Sequence, residues 1–417
     1  MKKVTIVSQV YPPDPAAVGQ YLADIAKEIA IRGWHVSVIT ANTGYDDPSV
    51  RFHTEEIRDG VHIQRLPWSS GGKKSLIARL VWQISFCLQV IFWTLLQGRH
   101  GLLLVSTSPP MVGFVAVALS LVCGKKFIWW VMDINPDQTV QSGNIRKTSI
   151  FVKLFELLNK HTLQRASQVI TLDDHMAKSL VTKLSPASSK IFVIPPWPLD
   201  IIRKGAPDCG KKFREFYKLE DCFIIMYSGN HSAVHPLDTL VGAAEQLRDN
   251  LKIRFLFIGG GVDKARIENR IKELKLYNAL SLPYQPLEML NESLAAGDLH
   301  FVTMGKNMVG LVHPCKIYGS MALGKPIIYT GPIDSHIGEI IASTKCGWQF
   351  NHGNSSGLAS KILELASTST STQTTDNIDS RLILSEVGSR GADLIKSRFE
   401  RQVLTEKLAD IITKTSF

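Results

Sequence analysis

Short runs of continuous apolar residues, each followed by a loop and a helical pattern, recur along this chain of 417 residues. In the first part these runs are VTIVSQV (4–10), HVSVIT (35–40), LLLVST (102–107) and KFIWWVM (126–132). Strands that are apolar on both faces are typical of parallel sheets covered by helices on both sides. The pattern therefore predicts an α/β fold with doubly wound, parallel sheets.

The same pattern restarts after a segment rich in proline and charge, near residues 198–221. The runs CFIIMYSGN (222–230) and IRFLFIGGG (253–261) begin a second series of strands and helices. A chain of this length is expected to form two domains. We predict one domain over 1–200 and a second over 201–395, with a ligand cleft at the carboxyl ends of both sheets.

The charge balance suggests an anionic partner, because the net charge is +10 and the isoelectric point is near 9.2. Phosphorylated ligands and anionic lipid both fit, whereas no arginine-rich run interleaved with aromatic residues favours a nucleic acid. The six cysteines include no C-x-x-C pair, which argues against a zinc ribbon and a disulfide framework. We therefore expect a reducing, cytoplasmic compartment and no nucleic-acid partner.

One segment, residues 76–99, is open to three interpretations. It carries no charge over the 17 residues from Leu80 to Leu96, and basic residues flank it at Lys73, Lys74 and Arg99. It could be a long core helix of the first domain or a helix lying in a membrane interface, which would place the protein peripherally on the inner face of the plasma membrane. A spanning helix wants about 20 apolar residues and would split the first sheet across a bilayer.

The stretch GLVHPCKIYGSMALGKPII (310–328) is the most informative one for function. Lys316 follows a proline and falls in the first turn of a predicted helix, where a cation is unfavourable against the helix dipole. An anion near Lys316 would resolve this conflict, and a pyrophosphate is a suitable one. A metal site built on His313 and Cys315 would have only two local ligands, so we expect no metal.

Two loops at predicted strand ends carry further candidates. Gly229, Asn230 and His231 lie between a strand and a helix, where backbone amides suit a phosphate, and His235 follows. Gly260 belongs to a glycine triple before another helix. Each loop is also compatible with a plain strand-to-helix turn.

Two further candidates lie in the first domain. Asp133 and Asn135 come at the carboxyl end of a strand, where polar residues face a cleft, although Asp133 could equally be a turn former. Gly19 opens a helix, which lets a ligand approach the backbone or simply reflects the start of that helix.

Motifs in one consistent order give the chain a family resemblance. They are SQVYPPDPAAVGQYLADIAKEIAIRGWHVSVIT, VSTSPP, VMDINPD, RASQVITLDDHMAKSL, KIFVIPPWP, YSGNHSAVHPLDTL, LPYQPLEML and VHPCKIYGSMALGKPIIYTGP. Together they resemble glycosyltransferase family 4, and in particular its bacterial branch that builds lipopolysaccharide and other surface polysaccharides. The resemblance implies a GT-B fold, with two Rossmann-like domains facing across a cleft and a C-terminal helix, 396–417, returning to the first domain.

The resemblance also implies a metal-independent hexosyltransferase that retains anomeric configuration. A UDP- or GDP-sugar donor would bind the second domain, and a lipid-linked or glycan acceptor would bind the first near Asp133 and 76–99. Lys316 and His235 would act on the leaving group and Asp133 on the acceptor. Gly229, Asn230, His231 and Gly260 would line the donor site, which Gly19 would close, with His313 and Tyr318 as further donor contacts.

Two alternatives to the transferase remain, and one departure from the family keeps the second of them open. Many relatives carry two glutamates that would fall at Leu311 and Gly319, and neither position is acidic here. A nucleotide-sugar 2-epimerase of the same fold is one alternative, although it would need carboxylates in the cleft. A non-catalytic, membrane-attached scaffold of a polysaccharide assembly complex is the other.

Overall fold

The computed structural model describes residues 2–44, 47–69, 76–96, 98, 101–143, 145–184, 188–202, 208–367 and 380–415. The chain divides into two compact units. The N-terminal unit contains residues 1–195, 310–313 and 402–417, and the C-terminal unit contains residues 196–309 and 314–401. Two segments from the second half of the chain, 310–313 and 402–417, therefore belong to the first unit.

The strands of the described residues are β1 Lys3–Val7, β2 His35–Ala41, β3 Glu55–Arg58, β4 Val61–Leu66, β5 Leu102–Ser106, β6 Phe127–Trp130, β7 Gln168–Thr171, β8 Ile191–Val193, β9 Phe223–Ser228, β10 Ile253–Ile258, β11 Ala279–Leu282, β12 Leu299–Thr303, β13 Ile327–Thr330 and β14 Gly347–Phe350.

The helices of the same residues are α1 Ala17–Ile31, α2 Leu76–Leu96, α3 Val112–Cys123, α4 Asp137–Gln141, α5 Ile150–Arg165, α6 Asp174–Leu184, α7 Lys211–Tyr217, α8 Asp238–Gln246, α9 Lys264–Glu273, α10 Leu290–Ala295, α11 Lys316–Ala322, α12 His336–Thr344, α13 Ser355–Ser367, α14 Ser380–Arg398 and α15 Arg401–Lys414. Two 3₁₀ turns lie at Ser188–Lys190 and Leu287–Met289.

The sheet of the N-terminal unit has the order β3-β4-β2-β1-β5-β6-β7-β8. All of its pairs are parallel except β3 with β4. Our sequence analysis missed this hairpin because its residues are largely polar. The turn at Asp59 and Gly60, where both residues have positive φ (51° and 75°), is an Asp-Gly signal of a tight hairpin.

The sheet of the C-terminal unit has the order β11-β10-β9-β12-β13-β14 and is parallel throughout. The predicted α/β class with doubly wound parallel sheets is thus confirmed. The strand order reverses beside β9 in this sheet and beside β1 in the other. Loops that follow strands at such switch points open a crevice in which α/β proteins bind ligands, which directs attention to the loops after β9 and β1.

Helix α2 corresponds to the apolar segment 76–99, of which residues 97 and 99 lie outside the described part of the chain, as do Lys73 and Lys74. One face of α2 is buried through Phe86, Val90 and Thr94. The other face exposes apolar side chains at Val81, Ile84, Leu88, Phe92 and Leu95. Among the helices of the described residues, none combines the length and the apolar character that crossing a bilayer requires.

The predicted C-terminal helix, 396–417, consists of the end of α14, a break at Phe399–Glu400, and α15. Residues 402–417 belong to the N-terminal unit. There the guanidinium of Arg32, at the end of α1, donates to the carboxylate of Asp410 at 2.5 Å and to the carbonyl of Glu406 at 3.1 Å. The last helix therefore packs on α1.

Candidate active site

The loops after β9 and β10 fit together so closely that two glycines are required. Gly229 and Gly259 have φ values of 146° and 134°, which disfavour any residue with a side chain. The N–H of Gly229 donates to the carbonyl of Ile258 at 2.9 Å. A Cβ on Gly259 would collide with the carbonyl oxygen of Gly229. The loop that we predicted to bind phosphate is thus held against the glycine triple by its backbone.

Hydrogen bonds of His231 and Asn230 stabilise these loops. The N–H of His231 donates to the carbonyl of Gly260 at 2.7 Å, and its Nδ1 lies 3.1 Å from the carbonyl of Gly229. Burial lowers the pKa of His231 to about 4, so the imidazole is neutral at physiological pH. Asn230 is exposed, and its carbonyl accepts a hydrogen bond from the Tyr227 hydroxyl at 2.5 Å. Of these two predicted site residues, only Asn230 presents its side chain to solvent.

Lys316 is the first residue of α11, as predicted, and its side chain reaches the end of β9. Its Nζ donates to the hydroxyl of Tyr227 at 2.6 Å and lies 4.3 Å from the centroid of that ring. A Cβ on Gly229 would collide with the Lys316 side chain. The structure therefore brings Lys316 and the Gly229 loop together at the switch point. Burial lowers the pKa of Lys316 to about 7.

His235 contributes a hydrogen bond to this cluster but no charge. Its Nδ1 lies 2.9 Å from the carbonyl oxygen of Thr303, which can only accept, so Nδ1 carries the proton. Burial and then the nearby Lys316 lower the pKa of His235 to about 3. A neutral ring with the proton on Nδ1 leaves Nε2 as a hydrogen-bond acceptor, which suits a hydroxyl better than a phosphate.

Our sequence analysis missed Tyr227 and Lys264. Tyr227 is fully buried, directly precedes the end of β9, and orients Lys316. Lys264 donates from Nζ to the carbonyls of Gly259 at 2.5 Å and Leu282 at 2.7 Å, which secures the glycine triple. Tyr227 lies in the motif YSGNHSAVHPLDTL, and Lys264 follows the glycine triple by three residues. A polar residue at the carboxyl end of a buried strand is the signal that could have revealed Tyr227.

Tyr318 and the positions of the two missing glutamates, Leu311 and Gly319, are all buried. Tyr318 is fully buried, with its ring 5.0 Å from that of Phe399 and its hydroxyl 3.3 Å from Nε2 of His336. A Cβ on Gly319 would already lie 3.2 Å from Ile202, so this site has little room for a glutamate. Leu311 belongs to the N-terminal unit, where it is buried.

His313, which we had assigned to the donor site, also belongs to the N-terminal unit. Its Nδ1 lies 2.6 Å from the Oδ2 of Asp173, and the two side chains are 0% and 4% exposed. Asp173 was not among our candidates. Its signal is the pair of acids that follows β7 in the stretch TLDD.

Gly19 lies in α1, next to the loop after β1, where the N-terminal sheet has its switch point. A Cβ at this position would lie 3.0 Å from the backbone of Tyr11. The glycine at this position therefore permits close packing of α1 against the loop after β1.

Asp133 follows β6 and lines a cavity of the N-terminal unit together with Thr107, Trp129, Asn135 and Asn159. Its N–H donates to the hydroxyl of Thr107 at 3.2 Å. Desolvation raises the pKa of Asp133 to about 6, an effect that the neighbouring His313 opposes. The carboxylate is thus an acceptor for a hydroxyl group at neutral pH.

Chemically, the C-terminal unit offers one lysine beside a glycine loop at the carboxyl end of β9, a position that suits an anion. The N-terminal unit offers a carboxylate. Among the described residues, no group of three or more His, Cys, Asp or Glu side chains is arranged to hold a metal ion.

Comparisons with known proteins agree with this architecture. The family model described as "Glycosyl transferase 4-like domain" matches residues 16–197, and the one described as "Glycosyl transferases group 1" matches residues 222–368. The probable glycosyltransferase WbjE of Pseudomonas aeruginosa is 24% identical over 98% of this chain and 97% of its own. The putative colanic acid biosynthesis glycosyl transferase WcaI of Escherichia coli K12 is 25% identical over 81% of this chain and 85% of its own.

Solved structures share the fold at low sequence identity. Anabaena Alr3699/HepE, crystallised with UDP-glucose, is 15% identical, covers 99% of this chain and 100% of its own, and superimposes with a TM-score of 0.70. WaaG, a glycosyltransferase involved in lipopolysaccharide biosynthesis, is 14% identical, covers 98% and 99%, and has a TM-score of 0.71. The GT-B fold predicted from the sequence is thereby confirmed.

Proposed function

The chain belongs to glycosyltransferase family 4, and we propose that it retains anomeric configuration while it moves a hexose-type sugar from a UDP- or GDP-sugar to a lipid-linked or polysaccharide acceptor. Glycosyl transfer from a nucleotide-sugar to a glycan acceptor is the activity of this enzyme. The pathway to which we assign it is cell-surface glycan synthesis, in which its relatives WcaI and WaaG act.

The contact of Lys316 with Tyr227 and Gly229 carries this proposal. A lysine held over a glycine loop at a switch point suits the pyrophosphate of a nucleotide-sugar. When the bond between the anomeric carbon and the phosphate oxygen breaks, its electron pair leaves with the diphosphate. Lys316 stabilises that negative charge, and neutral His235 accepts a hydrogen bond from the bound donor through Nε2.

The acceptor half of the reaction rests on Asp133. Its carboxylate orients the acceptor hydroxyl by accepting a hydrogen bond from it. The hydroxyl oxygen then bonds to the anomeric carbon on the face from which the diphosphate leaves, and the hydroxyl proton passes to a leaving phosphate oxygen. This mechanism needs neither a pair of catalytic carboxylates nor a metal ion, and we therefore expect full activity in the presence of EDTA.

The two alternatives, an epimerase and a non-catalytic scaffold, are not favoured. The relatives that match nearly the whole chain are described as glycosyltransferases. An epimerase would need carboxylates at the donor site, and the polar groups that surround Lys316 are a tyrosine, a histidine and backbone. A non-catalytic scaffold would bind nucleotide at the Lys316 cluster without turnover, so a transfer assay distinguishes it from the enzyme.

We further propose a peripheral membrane contact on the cytoplasmic side through α2 and its neighbours. The exposed residues of α2 recur every three or four positions and so form one apolar face. Helix α3 contacts both α2 and α5, and α5 exposes Ile150, Leu154 and Leu157 beside the exposed basic residues Lys147, Lys153 and Lys160. Apolar side chains next to lysines suit the interface of an anionic membrane.

Thermal unfolding in the presence of UDP, GDP, ADP and their common sugars tests the donor assignment first. We expect one nucleotide to raise the melting temperature of the wild-type protein, and Lys316→Ala to abolish that rise. Transfer of a radiolabelled sugar from that donor to a membrane extract then tests turnover. Binding without transfer to any acceptor fraction would favour the scaffold, and the absence of any thermal shift would contradict the donor site.

A further inference from the structure

Residues Gly310–His313 form a short segment that leaves the C-terminal half of the chain and becomes part of the N-terminal unit. The carbonyl of Leu311 accepts a hydrogen bond from the N–H of Ile134 at 2.8 Å. Gly310 has a φ of 70°, and a Cβ there would collide with the hydroxyl of Ser179 and lie 2.7 Å from the carbonyl of His175. The segment is therefore seated between α6 and the turn that carries Asp133.

The side chain that this segment buries is His313, and Asp173 fixes its orientation. The Oδ2 of Asp173 accepts the Nδ1 proton of His313 at 2.6 Å, and its Oδ1 accepts the N–H of Met176 at 2.7 Å. The second bond is that of an N-cap on the first turn of α6. A carboxylate held at both oxygens keeps the imidazole in one orientation and one position, with a proton on Nδ1.

Asp133 lies within electrostatic range of this imidazole. Its cavity contains no charged group besides Asp133, because Thr107, Trp129, Asn135 and Asn159 are neutral and the remaining lining is apolar. The amide of Asn159 is used in a bond to the carbonyl of Asn135 at 2.5 Å. The Nε1 of Trp129 is buried and finds no partner among the described residues. The cavity alone therefore disfavours a charged carboxylate.

Several other titratable groups lie on the elements around the turn. Asp173 directly precedes α6, Asp174 and His175 lie in its first turn, and Lys183 of α6 is paired with Asp137 of α4. Of these neighbours, His313 is the one that acts on the pKa of Asp133, and it lowers that pKa.

We propose that His313, held by Asp173, is a positioning residue of the acceptor side that keeps Asp133 in its carboxylate form facing the acceptor hydroxyl. This inference rests on the role given to Asp133 under the proposed function. It replaces our sequence-based assignment of His313 to the donor site, because the segment 310–313 brings the imidazole to the turn of Asp133. The proposal also explains why position 173, which was not among our candidates, carries an aspartate.

The test is the pH dependence of transfer in His313→Gln and Asp173→Asn, with His53→Gln as the control, since His53 is an exposed histidine of the same unit. Loss of the imidazole allows the pKa of Asp133 to rise, so the acidic limb of kcat should move up by about one pH unit. At pH 6 the rate should then fall about fivefold, because the ionised fraction of Asp133 drops from about one half to about one tenth. The rate should recover by pH 8.5, while the KM for the nucleotide-sugar stays unchanged.

An equal loss of rate at every pH would mean that His313 is merely structural, and a raised KM for the donor would return it to the donor site. Either result overturns the proposal. A measurement that does not depend on turnover distinguishes failure of this proposal from failure of the proposed function. Asp133→Asn should raise the melting temperature more at pH 8 than at pH 5, and this difference should widen in the His313→Gln background. An unchanged difference would overturn the proposal even if no acceptor is found.

Discussion

The amine of Lys316 donates to the hydroxyl of Tyr227 across 2.6 Å, although the two residues are 89 positions apart in the chain. Tyr227 in turn donates to the carbonyl of Asn230 at 2.5 Å. The lysine is thereby held over the glycine loop before any ligand arrives. Such preorganisation reduces the conformational entropy that is lost when ligand binding orders a long, flexible side chain.

Lys316→Met should abolish donor binding while the fold persists. Methionine retains the apolar stem of the lysine and removes the amine, whose charged form is disfavoured by burial. We expect the thermal shift with the cognate nucleotide to disappear, while the melting temperature of the free protein stays the same or rises. The matched control is Lys306→Met, because Lys306 is an exposed lysine of the same unit. Retained nucleotide binding in Lys316→Met would contradict the site.

Donor affinity should weaken as the pH rises above 7. The pKa of Lys316 is lowered to about 7, so the amine is mostly neutral at pH 8, and a bound pyrophosphate would favour its charged form. Binding at pH 8 should therefore take up about one proton and weaken by up to about tenfold for each unit above 7. Calorimetry in two buffers of different ionisation enthalpy measures this uptake. Identical binding enthalpies in the two buffers would rule the coupling out.

Gly259→Ala should disrupt the donor loop. The substitution places a Cβ against the carbonyl of Gly229 at a φ of 134°, so we expect a loss of stability of about 1–3 kcal/mol together with a loss of nucleotide binding. Gly353→Ala is the control, because that glycine of the same unit has a φ of 86° but nothing within 4 Å of its Cβ position. Denaturant unfolding and nucleotide titration of both variants measure the difference, and equal behaviour would refute the steric argument.

Asp133→Asn should stabilise the protein at neutral pH and remove its activity. Because the folded-state pKa of about 6 exceeds the ordinary value of 3.8, the protonated form stabilises the fold at low pH, and this contribution is lost as the pH rises through 6. Asparagine avoids that loss, which is at most about 3 kcal/mol at pH 7.5. Unfolding curves at pH 4 and 7.5 measure the effect. A variant that is less stable at pH 7.5 would contradict this account of Asp133.

Leu88→Lys combined with Phe92→Lys should weaken membrane binding without unfolding the protein. These side chains are 62% and 59% exposed, so folding does not depend on their burial. Insertion of each into an interface is worth about 1.5–3 kcal/mol, which predicts at least a tenfold loss of affinity for vesicles rich in phosphatidylglycerol. Leu363→Lys, at an exposed leucine of the C-terminal unit, is the control. Equal cosedimentation of all three proteins would remove the membrane contact from our proposal.

The sequence alone determined the class of fold and led to Lys316, the lysine of the proposed donor site. Continuous apolar runs separated by helical patterns specify parallel, covered strands, because only such strands are apolar on both faces. The β3–β4 hairpin was not predicted because polar residues dominate its sequence. Its Asp-Gly turn was the only local signal of a hairpin. Lys316 and Gly229 were accessible from the sequence because a cation at a helix start and a glycine after a strand are local signals.

Only the tertiary structure decided which distant residues meet. Tyr227 orients Lys316 because β9 ends beside the start of α11, and Asp173 meets His313 because residues 310–313 return to the N-terminal unit. Burial also decided the charges: His235 and His231 are neutral and Lys316 is half neutral at pH 7 because desolvation disfavours their charged forms. Contacts over 89 and 140 positions leave no local periodicity, so the sequence by itself does not specify these pairs.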